Sequence, residues 1–222
     1  MSAVGEQFQK NMGRPDPATE CAIEFKSEFA QMSWGAYKDE LGAGWFKNRF
    51  FYWFGPGLEE LKQCLEAWSF LVPPKSDRVI LGRNAYGAIV FVDDMDTGVN
   101  GNVWVLDPLT VGLYHDRGML LEAFLFRYLR DGQGVGKLLD DSVYSEFVQK
   151  GRLYLDQTRC LGINLALSLG GEMALDNFAV HNIYDYYKEM GAIYAGGLKL
   201  DAKLKAEKAK AKPKPKAKPK KR

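Results

Sequence analysis

The sequence predicts an α+β fold: a small mixed or antiparallel sheet flanked by helices, in two subdomains packed together, with a disordered basic C-terminal tail. Short β-prone runs sit mid-chain with amphipathic helical stripes on both flanks, not in a regular strand–helix alternation. Hydrophobic residues make up 46% of the 222 and aromatics 13%, enough for a sizeable buried core. Beyond residue 200 the composition changes abruptly to Lys, Ala and Pro.

From the N-terminus, Phe25, Phe29, Met32 and Ala36 recur at i, i+4, i+7 and i+11, one face of a helix. Trp45–Phe54 is dense in aromatics between Gly42, Gly44, Gly55 and Pro56, which suits a strand or hairpin. Leu58, Leu61, Leu65 and Trp68 mark a second amphipathic helix, ended by Pro73 and Pro74. Three β-prone runs follow, Val79–Leu81, Ile89–Val92 and Val103–Leu106, with a hairpin loop of turn formers from Asp93 to Asn102. Leu120, Leu121, Phe124, Leu125, Tyr128 and Leu129 form a helical stripe, followed by a glycine-broken loop, Asp131–Gly136, and a further helix near Asp141–Lys150. The apolar run Ile163–Leu169 reads as a buried strand stopped by a turn at Gly170 and Gly171, and a helix is expected around Asp176–Met190.

Charge divides the chain. Residues 201–222 hold ten Lys and one Arg against Asp201 and Glu207, a net +9, while the remaining 200 residues carry 19 basic and 26 acidic groups, a net −7. From Lys203 onward the tail has too little apolar surface to offset its ordering entropy, and Pro213, Pro215 and Pro219 interrupt helix, so an extended arm is expected. The cysteines Cys21, Cys64 and Cys160 are scattered and only two histidines exist, so closely spaced ligands for a tetrahedral metal are lacking; reduced thiols and no cofactor are expected. No apolar run reaches the roughly 18–20 residues of a membrane span, and Met1–Arg14 lacks the apolar stretch of a secretory signal, which makes the cytoplasm the expected location.

Three stretches imitate catalytic motifs. Gly132–Lys137 looks like a phosphate loop, but Asp131 stands where the first glycine belongs and Leu138 where a Ser or Thr must hold magnesium. Ala166–Gly170 resembles a nucleophile elbow around Ser168, yet His115 lies upstream and His181 only 13 residues on, in a segment expected to be helical. Asp94-Met95-Asp96 opens like a calcium loop, but Gly98 occupies the fifth position and Val105 the twelfth, where a bidentate Glu is required. No reaction follows from these residues; a protein acting by binding is expected.

Five blocks carry a family resemblance. They are Phe8…Met12-Gly13-Arg14-Pro15, the stretch Glu40–Phe51, the segment Pro56–Trp68, Arg83-Asn84-Ala85-Tyr86-Gly87, and Leu165–Gly171 followed by Asn177. In order and spacing they resemble the two-part immunity proteins of bacterial type VI secretion DNase effectors, which join a GAD-like N-terminal domain to a characteristic C-terminal domain. The resemblance covers residues 8 to about 195. The sequence departs from the pattern at Ala88, where the family has Asp, at Asn84, where it has Thr, and at Arg49, where it has glycine.

The resemblance implies a GAD-like domain over 1–75, an immunity-type domain over 76–198 and a tail over 199–222. It implies a bacterial cytoplasmic protein that binds a cognate effector toxin, a nuclease. A body at −7 suits such a partner, because a surface that holds phosphates must be basic. Asp93, Asp94, Asp96, Asp140 and Asp141 are then the candidate acidic contacts, and Trp45 and Phe46 (with Trp53) candidate aromatic anchors. A rival reading uses the tail: Lys210, Lys212, Lys214, Lys216, Lys218, Lys220, Lys221 and Arg222 are candidate contacts to nucleic acid, sequence-independent and salt-dependent.

Overall fold

A computed structural model of the chain describes residues 2–28, 31, 38, 40–93, 103–115, 138, 140–151 and 155–211. Seven strands, β1 (Ala18–Thr19), β2 (Ala43–Phe46), β3 (Phe51–Trp53), β4 (Arg78–Asn84), β5 (Ile89–Asp93), β6 (Val103–Asp107) and β7 (Gly112–His115), pair antiparallel in chain order as one sheet. A separate antiparallel pair, β8 (Arg159–Ile163) and β9 (Phe178–Asn182), aligns Leu161 with Val180 and Cys160 with His181. The described helices are α1 (Ala3–Met12), α2 (Lys62–Glu66), α3 (Ser142–Gln149) and α4 (Ile183–Ala211). The class is α+β, as the sequence predicts.

The expected aromatic hairpin is β2–β3. Its turn places Lys47, Asn48 and Arg49 in succession at φ 50°, 55° and 64°. At Arg49, as at its two neighbours, the backbone is left-handed, a conformation that glycine adopts more readily than a residue with a side chain. The turn is anchored from outside: the Tyr144 hydroxyl donates to the Asn48 carbonyl at 2.8 Å. α1 packs on this hairpin through Phe8 and Met12, one helical turn apart, with the Phe8 ring edge-on to Phe46 at 5.3 Å.

The boundary expected at 75/76 does not separate two sheets. β3 and β4 lie on either side of it and are direct neighbours, pairing Phe51 with Asn84, Tyr52 with Arg83 and Trp53 with Gly82. One cluster of buried side chains runs from Phe8 to Tyr194. Trp68 ties its ends, donating its indole N–H to the Tyr187 carbonyl at 3.0 Å. Pro73 and Pro74 do not end α2, which already stops at Glu66 and is followed by turns; they lie on the connection that leads into β4 of the existing sheet.

Two expected boundaries move. The helix expected over Asp176–Met190 starts only at Ile183, because Phe178–Asn182 is taken into pairing with β8. Asn182 caps the helix that follows, its Oδ1 accepting from Tyr184 N at 3.0 Å and Asp185 N at 3.3 Å. The tail, expected extended from Lys203, is helical to Ala211. Ala, Lys, Leu and Glu are strong helix formers, and the first proline is Pro213, which disfavours helix at the residue before it. The helical stripe at 120–129, the loop 131–136 and residues 212–222 lie outside the described residues, as does most of the stripe at 25–36. Among the described residues no helix is long and apolar enough to cross a membrane.

Candidate functional site

Burial removes several of the expected contacts. Trp45 and Phe46 are 4% and 1% exposed, and Trp53 is fully buried; every residue of β2 and β3 is buried, so these aromatics are core and not docking anchors. Asp93 is also buried. Its Oδ1 accepts from Arg78 Nε at 2.9 Å and its Oδ2 meets Lys75 Nζ at 3.0 Å, so it neutralises a strand-end arginine and faces no partner. Asp94 and Asp96 lie outside the described residues. Asp140 and Asp141 are half-buried at the start of α3: Asp140 Oδ1 accepts from Ser142 N at 3.2 Å, and Asp141 pairs with Lys47 at 3.5 Å. Among the described candidates, Asp140 and Asp141 alone lie at a partly accessible edge.

The Arg83–Gly87 block is a buried hub. Arg83 is fully buried; its Nη1 donates to the Asn84 carbonyl at 3.1 Å and its Nη2 to those of Asp156 and Arg159 at 2.5 and 2.9 Å. Its guanidinium lies 5.1 Å from the centre of the Trp45 ring. Burial lowers its pKa, but a guanidinium starts so high that it stays charged. Asn84 Oδ1 accepts from Tyr86 N and Ala88 N at 3.0 and 2.9 Å, and its amide donates to Leu138 O at 3.0 Å. The Tyr187 hydroxyl donates to Gly87 O, and Tyr86 Oη accepts from Tyr144 N. These residues hold β4–β5, β8, α3 and α4 together; within the hub the buried Arg83 Nε has no hydrogen-bond partner among the described residues. Beside them, burial pushes the Cys64 and Cys160 thiols up to about 12, which keeps them protonated and inert.

The second signature block has the opposite character. Between β8 and β9 the chain makes 3-10 turns at Leu167–Leu169 and Leu175–Asn177. Asn177 clamps the connection: its Oδ1 accepts from Leu165 N at 2.9 Å, and its amide donates to Leu165 O and Glu172 O at 3.0 and 2.9 Å. Gly171 lets the strands of the loop close, since a Cβ there would sit 1.9 Å from the Leu165 carbonyl oxygen. On this fixed frame Leu165 and Leu169 stand 46% and 60% exposed, with Glu172 and Asp176 exposed on the same loop. Large apolar side chains held out on a clamped loop with acidic neighbours make a candidate protein-docking surface.

Sequence reasoning reads this run as a buried strand end and so misses it. β8 stops pairing at Ile163, and the rest of the run turns through Leu167–Leu169 to Gly170 at φ 92°, which leaves its leucines in a loop. Ser168 lies on the first 3-10 turn, His181 on β9 and His115 on β7, while Gly132–Lys137 and Asp94–Gly98 fall outside the described residues. Among the described residues no cluster of His, Cys, Asp or Glu could hold a metal ion. A groove of about 470 Å³ opens between Ala22–Lys26, Gly55–Glu59 and Ser76–Ile80; on its wall Arg78 is engaged by Asp93 and Lys62 by Glu59.

No protein-family model matches the chain, and no curated protein matches it. The crystal structure of Atu4351 from Agrobacterium tumefaciens is similar over 84% of this chain and 87% of that chain, at 15% sequence identity and a TM-score of 0.45.

Proposed function

We propose that the chain is an immunity protein that binds and neutralises a cognate secreted antibacterial toxin, a nuclease, in the bacterial cytoplasm. The observation that carries this reading is the pair of exposed leucines, Leu165 and Leu169, on a loop fixed by Asn177 and flanked by Glu172 and Asp176. Exposed apolar groups on a mobile loop would lose much of their contact energy to ordering on binding; a clamped loop has already met that cost. A nuclease must present a basic face to phosphates, and an acidic rim on a body of net −7 is attracted to such a face and speeds encounter with it. The family resemblance of the five sequence blocks points to the same class of partner. Neutralisation then consists of covering the toxin's phosphate-binding surface, with no chemistry by this chain.

The test is affinity for a secreted nuclease toxin of the same bacterium, measured by titration. Replacing Leu165 and Leu169 together with Ser is expected to weaken binding at least a hundredfold, about the loss of two contact residues at an interface centre. The melting temperature should move little, because both side chains are already exposed to water. Undiminished affinity in this variant removes the loop from the interface, and absence of any complex with the wild-type chain removes the immunity reading.

A further inference from the structure

We infer that the outer edge of β9 is a self-association surface, on which a second copy of this chain pairs its own β9 antiparallel across a two-fold axis at Val180. β8 and β9 form a sheet of two strands, and their outer edges differ. β8 is closed against the body, since Leu161 donates its N–H to the Ala85 carbonyl at 2.7 Å. Flanking the pair, Asn164 N donates to Asn177 O and Ile183 N to Thr158 O, each at 2.8 Å. Backbone groups alternate in direction along a strand, so Asn177, Ala179, His181 and Ile183 turn theirs toward β8. Phe178, Val180 and Asn182 therefore turn theirs outward, where no strand lies among the described residues.

The outward groups that remain unbonded select the partner. The Phe178 N–H is already given to the Leu175 carbonyl. Asn182 caps α4, so its carbonyl is turned into the first turn of that helix. This leaves the Phe178 carbonyl, both groups of Val180 and the Asn182 N–H, which bond to none of the described residues. An antiparallel copy with Val180 opposite Val180 also sets Phe178 opposite Asn182. The two valines then exchange both their bonds, and each Asn182 N–H donates to the other copy's Phe178 carbonyl. These four bonds use every unbonded outward group. A foreign strand in the same place would leave its carbonyl opposite Phe178 and its N–H opposite Asn182 without partners. The side chains agree with self-pairing. Val180 is 43% exposed at the centre of an edge with no Asp, Glu, Lys, Arg, proline or bulge, the devices that keep edges apart. No like charges are set opposite each other, and a formal net charge of +2 for the whole chain lets two copies meet without strong repulsion. So short a strand pair buries little area, which makes the dimer reversible and dependent on concentration. The inference stands apart from the immunity reading, which rests on Leu165 and Leu169.

The experiment compares the full-length chain with full-length Val180→Lys by sedimentation velocity, at loading concentrations from about 1 to about 300 µM. The wild type is expected to pass from monomer to dimer across this range. Val180→Lys sets two ammonium groups opposite each other and should weaken self-association about tenfold or more. Its melting temperature should stay close to the wild type's, because the side chain already meets water. Val180→Cys tests the register, in a Cys21→Ser background whose other thiols, Cys64 and Cys160, are buried. Residues opposite each other in a bonded antiparallel pair have Cα atoms about 5.5 Å apart, within the span of a disulfide. Oxidation with copper phenanthroline should therefore link this variant into a covalent dimer. Asp176→Cys in the same background, exposed but off the two-fold axis, should link about tenfold more slowly or less. Equal linkage of the two cysteine variants overturns the inference, as does a Val180→Lys chain that dimerises like the wild type. A wild type that stays monomeric overturns it too; loss of nuclease-toxin binding by Val180→Lys in that case would assign the edge to a strand of the toxin.

Discussion

The turn between β4 and β5 and the connection between β8 and β9 share one device: a single asparagine bonded to backbone, beside a left-handed glycine. Asn84 works with Gly87 at φ 88°, and Asn177 with Gly170 at φ 92°. Each side chain satisfies three backbone groups. Their surroundings differ. Asn84 is 2% exposed among Arg83, Tyr86 and Cys160, whereas Asn177 is half-buried on a loop reached by water. The same chemistry therefore serves stability at depth and shape at the surface. A buried group left unbonded costs its full desolvation, while a wet one exchanges a partner for water.

The buried turn should show the larger effect. Asn84→Ala strands Tyr86 N, Ala88 N and Leu138 O in the interior, and a loss of about 3–5 kcal/mol of unfolding free energy is expected, read from denaturant midpoints. Labelling of Cys160 gives a local readout, because its Sγ lies 3.6 Å from where a Gly87 Cβ would stand. Its thiol should react with a maleimide far faster in the variant. A loss under about 1 kcal/mol would mean that depth does not separate the two asparagines.

At the surface loop the expected order reverses, with binding hurt more than stability. In Gly171→Ala the new Cβ meets Leu165 O at 1.9 Å and Asn177 Nδ2 at 2.9 Å, so the loop backbone must shift. A stability loss of about 1–3 kcal/mol is expected, since the strain is confined to an exposed connection. Affinity for the toxin should fall at least tenfold, because the displaced backbone carries Leu165 with it. Full affinity with lowered stability would show that the leucines need no fixed frame.

Legibility in the sequence follows the same division between local and distant causes. The hairpin within Trp45–Phe54 and the strands around Val79–Leu81, Ile89–Val92 and Val103–Leu106 are announced by their own composition and flanking turn residues. Depth is not announced. Trp45 and Phe46 suit an anchor as well as a core until β1, β3 and α1 are seen to enclose them. Asp93 reads as exposed because the arginine that neutralises it is Arg78, opposite it only in the β4–β5 register. β9 reads as the first turns of a helix because its partner strand lies 15 or more residues away. The Leu165–Gly171 loop is visible as a block of resemblance, yet its exposure depends on β8 ceasing to pair with β9 at Ile163, a distant partnership that the run's own residues do not announce.

β9 links the two regions, and its histidine offers the smallest and most selective probe of the boundary between them. Phe178 at one end follows Asn177 and lies 5.7 Å from Tyr86 of the buried turn; His181 stands opposite Cys160, half-buried, its ring 5.2 Å from Tyr186. Burial lowers the His181 pKa from 6.5, with Glu189 opposing the shift, and its Nε2 has no hydrogen-bond partner among the described residues. The folded chain thus favours the neutral ring more than the unfolded chain does. Below pH 6.5 the unfolded chain binds the extra proton, so stability present above 6.5 is lost as pH falls through 6.5 toward the lowered folded value. His181→Gln should flatten this slope between pH 7 and 5, seen as a shrinking gap between wild-type and variant denaturant midpoints if the wild type starts ahead. Identical slopes would place His181 with the solvated loop rather than the buried turn, and move the boundary between the two regions one strand inward.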